Sequence, residues 1–343
     1  MALLSLPGVA LVTECFNVYG LAIELRSASA SLVEEVRRDF AYFRAPLGEQ
    51  PVRIEVHCVP PPYEELPPVP ASFFTPRNAC FRNKQVSYID YFGQGLAVFK
   101  RQEKHCVVYG TDPDLVHEIV YLFILSTVGQ YLDSQGIHRV HALGVSYRQQ
   151  GILLLLPSGG GKSTMALTLL HEPGFFLLSE DTPLIDRHGR ILPFPLRLGV
   201  RPEQQPAVPP QYLRTVRRME FDPKTLIDLE YFQERVGQPV DPRFLLVGKR
   251  NLGDISEIVP LARSRALKTL VKDMVVGLGI YQGMEFLLER GVWEVLSKGG
   301  VAASRLYNSL RLLARATPYQ FVLGRNVERN RQTLLEFLRS QCG

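Results

Sequence analysis

Gly151-Ile-Leu-Leu-Leu-Leu-Pro-Ser-Gly-Gly-Gly-Lys-Ser-Thr-Met-Ala-Leu-Thr-Leu-Leu170 is the stretch from which the rest of the chain is read. Its uninterrupted apolar run, Ile152 to Leu156, predicts a strand buried on both faces, as inside a parallel sheet. Gly159, Gly160 and Gly161 follow, then Lys162, Ser163 and Thr164, and apolar residues recur at Met165, Leu167, Leu169 and Leu170 as a helix allows. Strand, glycine-rich turn, Lys-Ser and helix is the layout of a phosphate-binding loop. Glycines let successive backbone N–H groups curl around an anion. The helix aims the positive end of its dipole at the same place. Lys162 can reach outer phosphates, and the Ser163 hydroxyl can ligate Mg²⁺. Ser158, Gly159, Gly160, Gly161, Lys162, Ser163 and Thr164 are therefore the candidate nucleotide-binding residues. Leu156 stands where the usual G-x-x-x-x-G-K-[ST] spacing has its first glycine.

The flanking segments extend the pattern. Gly174 marks a stop, and Phe175 to Asp181 predicts a second buried strand ending in Glu180 and Asp181. Lys162 and Asp181 lie 19 residues apart, room for one short helix and a return strand. The carboxylates should then emerge beside the loop, at the strand carboxyl ends where open α/β sheets place ligands. Upstream, His138 to Tyr147 predicts one strand, with Arg148-Gln-Gln-Gly151 as a tight turn, which brings His141 toward the same site.

The chain has 343 residues, with 46% apolar, 21% charged and a net charge of +5. That is a globular balance, mild enough to suit an anionic ligand without arguing for nucleic acid. Five cysteines, an odd number with no C-x-x-C, point away from a disulfide framework or zinc site and toward a reducing, cytoplasmic setting. The apolar run Ile119 to Val128 is too short to span a bilayer and reads as a buried helix, so no membrane partner is expected.

Residues 1–110 read as a separate α+β domain dominated by antiparallel strands: a strand pair around Gly20, a helix from Ser31 to Phe40, and strands at 52–58, 85–91, 95–101 and 105–109. The proline-rich stretch 59–70 reads as an extended surface loop. Asp112-Pro113 should open a helix running to about Asp133. Further on come a hairpin-like turn at 186–190, a mobile Gln- and Pro-rich loop at 202–210, a solvated basic cluster of Arg214, Arg217 and Arg218, and strands at 224–228 and 244–250. Beyond Pro260 the spacing is helical, at 262–278, 281–291, 301–315 and 327–340.

His141-Ala-Leu-Gly-Val145, Pro157-Ser-Gly-Gly-Gly-Lys-Ser-Thr164 and Leu178-Ser-Glu-Asp181 together resemble the HPr kinase/phosphorylase family and its relatives, which share a fold with ATP-dependent phosphoenolpyruvate carboxykinases. The likeness covers roughly residues 112–250 by motif and 251–343 by general pattern. It implies an α/β P-loop kinase domain over 111–343 with C-terminal helices, following the N-terminal domain, and a reaction using ATP and Mg²⁺ to phosphorylate a hydroxyl, such as serine, of a peptide, protein or small molecule. It implies roles as well. Lys162 would neutralise phosphate charge. Ser163 and Asp181 would hold the metal. Glu180 would take the acceptor's proton, and His141 would carry a proton or donate a hydrogen bond. Arg197, Arg201, Lys249 and Arg250 are the candidates for stabilising the transferring group. The family also admits a homo-oligomer. The alternative reading is a nucleotide-binding regulator or scaffold without transfer chemistry, suggested by Leu156 in the loop and by Glu180 where the family has Asp.

Overall fold

The computed structural model describes residues 10–83, 85–157, 159–200, 208–217, 219, 223–276 and 292–342. It is a mixed α/β protein of several sheets. The described residues fall into two compact units. One holds residues 10–128 and those described between 208 and 228. The other holds 129–200, 229–276 and 292–342.

The first unit is built on an eight-stranded sheet: β1 (Val12–Val18), β2 (Leu21–Ser27), β3 (Val52–His57), β4 (Ala71–Phe74), β5 (Ala79–Arg82), β6 (Val86–Asp90), β7 (Gly95–Lys100) and β8 (His105–Gly110), in the order β1-β2-β3-β8-β7-β6-β5-β4. The Tyr19-Gly20 turn, with both residues at positive φ, closes the β1–β2 hairpin. β3 runs parallel to β2 and β8, and the other pairs are antiparallel. Helix α1 (Ala30–Asp39) is capped by Ser29, and α2 (Pro113–Ser134) by Asp112, whose carboxylate accepts the Asp114 N–H at 2.9 Å. Leu115, Ile119 and Phe123 lie along one side of α2. The first two close over Gly95, and Phe123 meets Phe99 edge-on at 5.0 Å. On the sheet's other side Leu96, Val98, Val107 and Tyr109 form a cluster with Leu66 packed against it. The proline-rich stretch is thus anchored to the sheet by Leu66. α2 is the one described helix long and apolar enough to cross a membrane, and most of it is buried inside the protein.

Arg214 corrects the solvated-cluster reading. It lies on a hairpin of Leu213–Val216 and Lys224–Ile227, and only 7% of its side chain is exposed. Its guanidinium donates to Glu35, Asp39 and, at 2.9 Å, Asp228. Asp228 also accepts from Arg38, and Asp39 lies 2.8 Å from His117 Nε2. Arg217, by contrast, is 83% exposed. Arg218 lies outside the described residues.

In the second unit the sequence 138–147 makes two strands in different sheets rather than one. β9 (His138–Arg139) pairs with Leu184–Ile185, and β10 (Leu143–Tyr147) joins a six-stranded sheet. That sheet runs β12 (Phe175–Ser179), β10, β11 (Gln150–Leu155), Pro242–Arg250, Thr317–Leu323 and Glu257–Pro260. β11 is antiparallel to β10 but parallel to Pro242–Arg250, which is parallel to Thr317–Leu323. β10 is antiparallel to β12 too, so β11 and β12 point the same way. Helices cover both faces. α4 (Arg263–Leu270) and Val292–Arg315 pack on Leu153, Leu155 and Leu245, while Phe337 of Val327–Cys342 packs on Phe244 at 5.3 Å. Thr317–Leu323 is a strand inside the region whose spacing reads as helical. The expected helix at 281–291 and most of the loop at 202–210 lie outside the described residues.

Removing Arg214 takes the shared cation from three carboxylates, two of them almost fully buried, and leaves them only Arg38 and His117. Arg214→Ala should lower the unfolding free energy by about 3–5 kcal/mol in urea titrations. The exposed Arg217→Ala should stay within about 0.5 kcal/mol of the parent.

Candidate active site around Lys162

Four strands deliver the site. The described strands β11, β12, Pro242–Arg250 and Thr317–Leu323 all run in one direction, so Leu156, Glu180-Asp181, Arg250 and Gly324 arrive at one edge of the sheet. Leu156 is buried with its backbone outside the left-handed region. Its side chain fills the space over Gly248, where a Cβ would come within 2.2 Å of Leu156 Cδ2. Leucine therefore ends the strand without strain, and no glycine is needed there. The turn itself needs its three glycines. A Cβ on Gly160 would lie 2.7 Å from the Pro157 carbonyl oxygen, and Gly161, at φ 97°, is the left-handed residue that opens α3 (Lys162–Leu170). No side chain caps that helix. Gly159 is also left-handed, and Ser158 lies outside the described residues. Thr164 sits in the first turn of α3 and is half-buried.

Lys162 is 6% exposed, and its ammonium has three acceptors: His141 Nε2 at 2.8 Å, the Leu156 carbonyl at 3.1 Å and Asp181 Oδ1 at 3.2 Å. Three donors meeting three acceptors satisfy the group in full. His141 lies between β9 and β10 rather than on a strand, because the backbone there turns to bond on two sides. Its N–H donates to the Asp273 carbonyl at 3.1 Å, and the next N–H, of Ala142, donates to the Asp181 carbonyl at 3.0 Å. His141 Nε2 also stands 3.1 Å from Asp181 Oδ1. One ring nitrogen cannot accept from Lys162 and donate to Asp181 at once, so its proton depends on where Lys162 points.

The two carboxylates occupy different niches. Glu180 accepts a hydrogen bond from the Ser163 hydroxyl. Asp181 faces Lys162 and His141. Burial works against its charged form, but the His141 ring at 3.1 Å and the charge on Lys162 prevail and hold its carboxyl below the usual carboxylate range. Of the candidate cations, Arg250 reaches the loop: its Nη2 would be 3.1 Å from a Cβ on Gly161, while its Nη1 donates to the Gly324 carbonyl at 2.9 Å. Lys249 beside it is exposed, Arg197 is half-buried, and Arg201 lies outside the described residues.

Asp273 is a neighbour that belongs to no motif of the sequence. It follows α4 in a single π-helical turn, Val271–Val276. A signal was present. Ala266, Leu270 and Met274 form the buried side of that segment at helical spacing, and a carboxylate at position 273 falls among them.

Because Asp181 has a lower pKa folded than unfolded, the stability it contributes is complete above the unfolded value of about 4. It is lost as pH falls through the folded value. Asp181→Asn should therefore be less stable than the parent at pH 7, by on the order of 1–2 kcal/mol for a pair with one partly exposed partner. The gap should close in urea titrations carried below about pH 4. No protein-family model matches the chain, and no curated protein matches it, so the chemistry of the site rests on the geometry of these residues.

Proposed function

We propose that the chain is an ATP- and Mg²⁺-dependent phosphotransferase that moves the γ-phosphoryl group to a hydroxyl, in the manner of HPr-kinase-like P-loop kinases. The observation that carries this is the convergence of Lys162, His141 and Asp181 at the mouth of a glycine turn that opens an uncapped helix. Backbone N–H groups and a helix N-terminus favour an anion, and a buried lysine supplies its counter-charge.

The residues fit the metal. Mg²⁺ in nucleotide sites takes one or two protein oxygens and fills the rest of its octahedron with phosphate oxygens and water. The touching Ser163 hydroxyl and Glu180 carboxylate would supply such oxygens, with Asp181 next in sequence. When bound, the ion would draw charge from the phosphate oxygens. In this reading Lys162 leaves Asp181 for the phosphates, Arg250 approaches from the other side of the loop, and His141 Nε2 becomes free to donate. The acceptor class, a serine-like hydroxyl of a peptide, protein or small molecule, comes from the family resemblance of the three motifs.

Incubation with γ-labelled ATP, MgCl₂ and serine-containing peptides tests the proposal. Labelled peptide is expected, and Lys162→Ala should lower kcat/KM by about 10²–10³, the scale for removing one charge-stabilising group. Undiminished transfer by Lys162→Ala would refute the assignment. The second reading, a nucleotide-binding regulator, draws on the engagement of Glu180 by Ser163, which occupies the expected base. Nucleotide binding without transfer to any acceptor would select it.

A further inference from the structure

Asp273 is 9% exposed, yet among the described residues its carboxylate has no hydrogen-bond or ion-pair partner. Its oxygens are not among the buried polar atoms that lack a partner, so the carboxylate keeps access to solvent, as a group that is to meet a substrate requires. Its place is not accidental in the fold. The π-helical turn that carries it accepts the His141 N–H through the Asp273 carbonyl, and such turns often mark functional positions. Behind the turn, buried Arg305 donates to the Met274 and Val275 carbonyls at 3.4 and 3.5 Å and to Asp133 at 2.7 Å. Asp133 in turn lies 2.8 Å from His138 Nδ1, three residues before His141. One buried scaffold therefore supports both the turn and the histidine.

The other two carboxylates are engaged, Glu180 by Ser163 and Asp181 by Lys162. We propose that Asp273 is the proton acceptor for the hydroxyl that receives the phosphoryl group. The inference rests on the phosphotransfer reading above. In the step, the acceptor O–H bond breaks and its proton passes to the Asp273 carboxylate. The acceptor oxygen forms the new bond to the γ-phosphorus, and the bond from that phosphorus to the bridging oxygen breaks, its electron pair leaving on the nucleoside diphosphate. A general base works best with a pKa near the working pH. Burial raises the Asp273 carboxyl above its usual range, against smaller opposing effects of His141, Lys272 and Lys162, whereas Asp181 is shifted the opposite way. Carboxylates in one site with opposed shifts divide the acid–base labour between them.

Besides burial, the charged groups that act on Asp273 are His141 and Lys162 on the loop side and Lys272 on the same turn; Arg305 holds the turn through the Met274 and Val275 carbonyls. The test uses the full chain with MgATP and two acceptors, water and a serine-containing peptide pool, with binding of a fluorescent ATP analogue measured in parallel. Asp273→Asn should bind the analogue within about 3-fold of the parent, while turnover falls by about 10²-fold or more and the acidic limb of the pH–rate profile disappears. Asp273→Glu should keep that limb. Asp273→Ala should regain turnover when sodium formate is added, a rescue that a purely structural residue would not show. Turnover by Asp273→Asn with the parent's pH profile overturns the inference alone. So does a loss in Asp273→Ala that formate does not restore. A parent chain that binds the analogue and turns over with neither acceptor overturns the phosphotransfer reading, and the inference with it.

Discussion

An ammonium group inside a protein must be given partners, and the second unit is arranged around that requirement at Lys162. An unpaired buried charge costs several kcal/mol. The fold meets the demand with acceptors from three separated places: the Leu156 carbonyl at the end of β11, Asp181 past the end of β12, and His141 from the link between β9 and β10. Each place has its own reason to be there. Leu156 is fixed by packing over Gly248. Asp181 is carried by a strand parallel to β11. His141 is held by backbone bonds on both sides. Splitting 138–147 into two strands is what frees this histidine from a pleat, where its side chain would be bound to alternate with its neighbours.

The first unit solves a similar problem with the signs reversed in number. Arg214 meets three carboxylates, and Arg38 and His117 share the excess negative charge. The planar guanidinium suits this role because its five donors point in fixed directions. Nothing in that cluster can turn away without stranding a buried charge, which is the behaviour of a structural lock. Lys162 is different: it is a point charge on a flexible stem, able to exchange one set of oxygens for another.

How much of this was legible follows from range. Local signals survived. The glycine turn, the Asp112 cap, the Arg148-Gln149 turn and the strand at 244–250 all rest on residues that are neighbours in sequence. Long-range facts did not. Arg214 looks like one of three surface arginines until Glu35 and Asp39 are folded against it. The strand Thr317–Leu323 was hidden because Pro318 resembles a break between helices, and its identity comes from pairing with a strand some 70 residues earlier. The short strands Ala71–Phe74 and Ala79–Arg82 carry too few residues for a period to be read. At the site, the Lys162, His141 and Asp181 grouping was readable from motif order, but the exchange of partners was not. The family resemblance implied Asp181 beside Ser163, whereas the strand end turns Glu180 to Ser163 and Asp181 to Lys162.

On the proposed reading, the partners of Lys162 bear on how the site would rest before a nucleotide binds. With Lys162 on Asp181 and His141, the lysine is screened from solvent and His141 Nε2 must offer its lone pair. An anion that draws Lys162 outward removes a positive charge from Asp181 and a donor from His141 in one movement. Asp181 then loses one of the interactions that kept its carboxyl low, and His141 can turn its proton toward it. Asp273 meets His141 through its backbone carbonyl, and Arg305 holds the same turn from behind, so on the proposed reading Asp273 would keep its place when Lys162 turned. On the proposed reading, Lys162 and the Asp273 carboxylate lie on different elements, so the lysine could turn to a phosphate without moving the group proposed to receive a proton.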